Sequence, residues 1–225
     1  MYWTKAGLPA IKGEEDMTTY ITFVLDETGS MWGVRDDTIG GFNTYITDLR
    51  NNLKHVRFSL LKFNSNKKEW IHDKIGLSKV ALLSEKTYIP TDGTPLWDAF
   101  GAAITRMETI ELEPDDKVII SVLTDGMENS SVEFDASTIK ALIEKHPDWA
   151  INFLGANMDA WDDVGRGLGM SRGATLTFSK DAISETYCSM SNATINFAEG
   201  KTSVDNFYTE GSTAKESEEE VDLVK

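Results

Sequence analysis

A single cysteine, Cys188, excludes any disulfide within the chain, and nothing in the sequence demands an oxidising compartment. No run of about 18 apolar residues occurs, so no membrane-crossing helix is expected. The opening stretch, MYWTKAGLPAIKGEED, lacks the long apolar segment of a secretory signal. Cytoplasmic residence is therefore the expectation. Basic residues are scarce, 22 Lys and Arg against 37 Asp and Glu, for a net charge of −15. That balance argues against duplex DNA, other nucleic acid or an anionic membrane as partner, because each would be repelled. The three histidines, His55, His72 and His146, show no zinc-like spacing. A phosphate-cradling Gly-x4-Gly-Lys-Ser/Thr loop is missing, and no nucleophile-elbow string appears. The glycines of GRGLG (Gly165, Gly167, Gly169) precede a strand pattern instead of following one, so they read as a helix exit and turn.

What remains is a chain of 225 residues, 40% hydrophobic, long enough for one domain with a substantial core. TTYITFVLDE reads as a buried strand ending at Asp26, and the stretch from Val34 to Leu53 has helical spacing weakened by Gly40–Gly41. HVRFSLLKFNS forms a second strand, with KKEWIHDKI returning as an antiparallel edge. The segment between Gly76 and Gly93 is mixed. A helix follows Pro95, and DKVIISVLTDG is the clearest strand, closed by Asp125–Gly126. Further on come a helix capped by Asp135, a strand at WAINFLGAN, a short helix at DAWDDVGRGLG, a strand at GATLTFS, and a helix over about 181–199. Alternating strands and helices predict an α/β fold, a doubly wound and mostly parallel sheet with helices on both faces. Residues 1–16, ahead of Met17, read as an upstream extension or surface arm, 17–200 as the domain, and 201–225 as an acidic tail. The last 16 residues carry six acids against two lysines, a composition that predicts disorder.

In such sheets ligands bind beyond the carboxyl ends of the strands. DETGSM (26–31), TDGMEN (124–129) and GANMDAW (155–161) all fall there. For DETGSM alone, three readings compete: a helix cap, a phosphate-accepting nucleophile, or metal ligands. Thr94 in TDGTPL and Asp125 in LTDG add to Asp26, Thr28 and Ser30, giving two carboxylates and three hydroxyls at one edge. An all-oxygen set suits a hard cation, Mg²⁺ or Mn²⁺ with Ca²⁺ also admissible, rather than zinc.

The three motifs resemble those of a von Willebrand factor type A domain with its metal-ion-dependent adhesion site. The family's first loop, Asp-x-Ser-x-Ser, matches Asp26, Thr28 and Ser30, with threonine keeping the first hydroxyl. The second-loop threonine matches Thr94 and the third-loop aspartate Asp125, in the family's order and separated by 68 and 31 positions. The likeness spans about residues 17–180 and is closer to compact bacterial and phage versions than to integrin inserts. It implies a Rossmann-like fold and a non-catalytic role. Ser30 and Thr28 would coordinate directly, Asp26 and Asp125 partly through water, and Thr94 once a ligand is bound. The ion would then capture an Asp or Glu carboxylate of a partner protein.

DETGS also resembles the phosphorylated Asp-Lys-Thr-Gly-Thr string of P-type ATPases, in which Asp26 would be the nucleophile of a Mg²⁺-dependent, haloacid-dehalogenase-like enzyme. Against this, Glu27 replaces the lysine, Thr28 stands where phosphatases of that superfamily place a second aspartate, and Asn129 stands where a later acid is wanted. Finally, a tryptophan follows each edge loop. Trp97 reads as core, whereas Trp32 and Trp161 are candidates for a partner-binding rim. Glu27, Glu128, Asp92 and Asp159 are charges expected to line the same edge.

Overall fold

In a computed structural model, residues 17–156, 165–170, 174–178 and 182–208 are described. Six strands form one sheet: β1 (Thr19–Asp26), β2 (Val56–Asn64), β3 (Lys67–Gly76), β4 (Lys117–Thr124), β5 (Ala150–Ala156) and β6 (Thr175–Phe178). Their order is β3-β2-β1-β4-β5-β6, and every pairing is parallel except β2 with β3, the antiparallel edge. The chain leaves β1 toward β2 on one side and later returns to β4 on the other. The strand order therefore reverses between β1 and β4, and a crevice opens at their carboxyl ends.

Strand parity sorts the core into two layers. Ile21, Phe23 and Leu25 of β1, with Ile119 and Leu123 of β4, face helices α1 (Arg35–Asn52) and α4 (Ile183–Ala198). Val24 and Val118, Ile120 and Val122 face α2 (Leu96–Met107) and α3 (Ala136–Lys145). Burial of each such side chain contributes about 1.5–3 kcal/mol, so the buried strands tolerate few polar residues without partners. The Gly40–Gly41 pair that weakens the α1 pattern has a packing reason. A Cβ at Gly41 would lie 2.1 Å from the ring of Tyr187, so only glycine lets α4 approach α1 this closely. α3 starts as expected, with Asp135 accepting from the Thr138 N–H.

The mixed segment after β3 is a strap running along α1. Arg50 donates to the Leu77 and Val80 carbonyls, Asn43 exchanges hydrogen bonds with Leu83, and Arg35 donates to the carbonyls of Glu85 and Tyr88. Each rung lies closer to the amino end of α1, so the strap climbs to the crevice. Past α4, Phe207 and Tyr208 are buried in the first core layer, which carries the packed body beyond the boundary expected at 200. Residues 1–16 and 209–225 lie outside the described residues.

Candidate metal centre

The register that pairs Leu25 with Leu123 sets Thr124 beside Asp26. Asp26 is fully buried. Its Oδ1 accepts from the Thr28 N–H at 2.7 Å, and its Oδ2 accepts from the Thr124 hydroxyl. The first bond curls the chain at the strand end, so Thr28 and Ser30 turn back over β1, their hydroxyl oxygens 3.2 Å apart. Ser30 donates in turn to Asp125 Oδ1 at 2.5 Å, which joins the first loop to the third. Thr94 closes the group. A Cβ built on Gly126 would fall 3.0 Å from Thr94 Oγ1 and 3.2 Å from Ser30 Oγ, so the absent side chain leaves a space between those hydroxyls. All five oxygen-bearing residues expected at the edge converge there.

Three comparisons with known proteins bear on this arrangement. No protein-family model matches the chain. Over 115 residues it is 33% identical to inter-alpha-trypsin inhibitor heavy chain H2 of Sus scrofa, a stretch covering 47% of this chain and 12% of that protein. Among solved structures it superposes on proximal thread matrix protein 1 from the mussel byssus, described with a zinc-occupied MIDAS motif (the metal-ion-dependent adhesion site). The TM-score is 0.55 at 15% identity, over 80% of this chain and 46% of that one. A von Willebrand factor type A protein from Catenulispora acidiphila gives a TM-score of 0.55 at 11% identity, over 80% of this chain and 43% of that one. The chain has the von Willebrand factor type A fold. It spans about an eighth of the heavy chain and less than half of either structure.

Within this von Willebrand A fold, exposure is graded across the group. Asp26, Thr28 and Thr94 are buried, Asp125 is half-buried and Ser30 is exposed, so the set opens to solvent on the Ser30–Asp125 side. Burial pushes the Asp26 carboxyl up to about 6; bonds from Thr124 and Thr28 oppose that shift, and the charge of Asp125 adds to it. A cation placed among these oxygens would reverse this balance and favour both carboxylates ionised. Among the described residues no group of three or more His, Cys, Asp or Glu side chains is suited to a metal. The oxygen set fits a hard divalent ion by its chemistry: two carboxylates and three hydroxyls meet at this edge, with Thr94 and Ser30 on either side of the Gly126 gap.

The rim differs from expectation. Glu27 is 1% exposed and does not face a partner: its Oε1 accepts from Lys62 Nζ at 2.7 Å and from the Ile89 N–H, while Lys67 Nζ lies 3.3 Å from Oε2. Two ammonium groups draw the carboxylate inward. Glu128 is also diverted. It accepts from the N–H groups of Ser130, Ser131 and Trp97, capping the first turn of α2 from the third loop. Asp92, in left-handed backbone, accepts from Asn66, and its carbonyl accepts from the Gly29 N–H. Trp32 meets its expectation of exposure, at 57%, with the Arg35 guanidinium 5.0 Å from its ring centre. Trp97 packs partly buried against the second core layer, as expected. Trp161 and Asp159 lie outside the described residues.

Several supporting residues escaped the sequence reading. Tyr88 donates to the Asp26 carbonyl at 2.6 Å, and Asp98 accepts from the N–H groups of Val132, Glu133 and Phe134. Asn129 accepts from the Thr94 N–H and returns its own N–H to the Thr94 carbonyl. Lys62 inside the apolar run FSLLKFN carried a readable signal, since a lysine in a buried strand needs a buried acid. Asp98, on the apolar side of its helix, carried a similar one.

Proposed function

We propose that this chain is a metal-dependent protein-interaction module that captures a partner's Asp or Glu carboxylate at an ion held by Asp26, Thr28, Ser30, Thr94 and Asp125. The single observation that carries the reading is their convergence at one edge, Asp26, Thr28, Ser30 and Asp125 linked by hydrogen bonds and Thr94 facing Ser30 across the Gly126 space. Mg²⁺ is the ion that the all-oxygen set favours. A bound ion supplies a coordination position that a carboxylate can enter. The chain's own residues do the rest. Thr28 and Thr124 fix both oxygens of Asp26, Ser30 is exposed, and three neutral hydroxyls leave a divalent charge incompletely neutralised. The exposed side chains of Trp32 and Met127, 57% and 69% exposed, offer apolar anchors beside it.

What supports a non-catalytic role over phosphoryl transfer is the setting of Asp26. It is buried, and both its oxygens accept hydrogen bonds, which leaves a poor nucleophile. Capture from a lysate with Mg²⁺ and again with EDTA tests the proposal. Retention of the same partner only with the ion, and its loss in a folded Asp26→Ala variant, is expected. An acid-stable, hydroxylamine-sensitive phosphoryl adduct on Asp26 would favour the enzyme instead. Zn²⁺ belongs in the ion series, because the mussel protein's adhesion motif is described as zinc-occupied.

A further inference from the structure

The pole opposite the metal edge carries a second feature. A cavity of about 440 Å³ opens where α1 ends and β2 begins, and Arg50, Lys54, His55 and Arg57 line it. Among the described residues, none of those lining it is acidic, in a chain of net charge −15. Three of the four bases fall within the tight turn Lys54–Arg57, and His55 takes a left-handed backbone there, at φ 47°.

Helix chemistry explains Arg50 and bears on Lys54, which directly follows the α1 C-cap Leu53, but it does not account for Arg57 on β2. Arg50 sits in the last turn of α1, where a cation offsets the helix dipole, and it is committed to the Leu77 and Val80 carbonyls. Arg57 is on β2, exposed, and neither it nor Lys54 nor His55 has a side-chain hydrogen bond or ion pair among the described residues. Asp116, an acid whose charge acts on Tyr20 as that of Arg57 does, already has partners. It accepts from the Thr18 and Glu113 N–H groups. Lys54 and Arg57 are like charges on one concavity and repel one another, and an anion entering it removes that cost. A guanidinium and an ammonium on one rim suit a tetrahedral oxyanion, the guanidinium through two parallel N–H bonds. Leu53, Val56 and Leu77 form an apolar wall beside them, with room for more than the anion alone.

The geometry points to a binding site for a small phosphate-bearing molecule at this pole, held by Lys54, His55 and Arg57, with its organic part against Leu53, Val56 and Leu77. It operates independently of the metal edge, so the two readings stand or fall separately.

The test is a titration of the full chain in chelator with inorganic phosphate, pyrophosphate, phenyl phosphate and acetate, read by amide chemical shifts. Saturable shifts at residues 53–57 and 76–78 are expected for the phosphates, strongest for phenyl phosphate and absent for acetate. Arg57→Glu and Lys54→Glu should each weaken binding at least tenfold. Lys79→Glu, the same charge change on an exposed lysine outside the cavity lining, should leave it within twofold. Circular dichroism confirms that each variant is folded. No saturable shift, or equal loss in Lys79→Glu, overturns the site. A chain with Glu14→Gln, Glu15→Gln and Asp16→Asn adds a separate arm. Binding seen only there would make the chain's own acids the counter-charge and would likewise overturn it.

Discussion

The loop after β1 hangs on a buried ion pair, whereas the loops before α2 and after β4 are tied to each other by several part-buried hydrogen bonds to single N–H groups. In the first, Glu27 and Lys62 meet inside the protein, and Lys62 also donates to the Thr87 carbonyl. In the second, Asn129 clasps Thr94, Glu128 caps α2, and Asp98 gathers three N–H groups of the third loop. Asp26 thus stands on a foundation that fails as a whole, while Thr94 and Asp125 are set by several small, separable ties. The difference suits a site with one fixed side and one adjustable side.

The sharpest way to break that contrast is Glu27→Ala. It strands Lys62 without its carboxylate and should cost about 3–5 kcal/mol in urea unfolding. Replacing Glu27 and Lys62 together with apolar residues of similar size should recover much of the loss. A loss under 1 kcal/mol for the single change would equate the two regions.

Titration sharpens the contrast next. The Asp26 carboxyl is raised to about 6 in the folded chain against an ordinary 3.8, so its protonated form is the one the fold favours. Its contribution is fully present below pH 3.8 and is lost as pH rises through about 6, at most about 3 kcal/mol. In chelator, the Asp26-dependent part of stability should fall over that window, and Asp26→Asn should flatten it. Mg²⁺ should raise the melting temperature more at pH 7.5 than at pH 5.

On the other side the effects shrink. Asp98→Ala leaves three N–H groups unserved and should cost about 2 kcal/mol. Those same bonds hold the Asp98 carboxyl below its ordinary range against the opposing effect of burial. Its contribution is therefore present at neutral pH and fades only as pH falls below about 4. Smallest is Asn129→Ala, about 1 kcal/mol, read as weaker Mg²⁺ uptake with little change in unfolding midpoint.

Much of this frame was legible in the sequence because parity and spacing are local. TTYITFVLDE reads as a buried strand ending at Asp26 and LTDG as the close of another, so both aspartates could be placed at strand ends from the sequence. The strap from 77 to 90 was not legible, since it has no periodicity and is fixed by contacts to Arg35, Asn43 and Arg50, 27 to 53 positions away. Glu27 and Glu128 were misjudged for the same reason. A loop glutamate reads as solvated unless its partner is known, and Lys62 and the Trp97 N–H lie 35 and 31 positions off. The glycine at 41 could be noticed but not explained until Tyr187 was seen against it.

The most direct test of the metal reading is a crystal structure grown with Mn²⁺, with the ion located by its anomalous signal. One ion per chain, about 2.0–2.3 Å from Ser30 Oγ and from at least one hydroxyl of Thr28 or Thr94, and absent in Ser30→Ala, is the predicted result. No ion at that edge at millimolar Mn²⁺, or an ion bound elsewhere with these side chains turned apart, would contradict it.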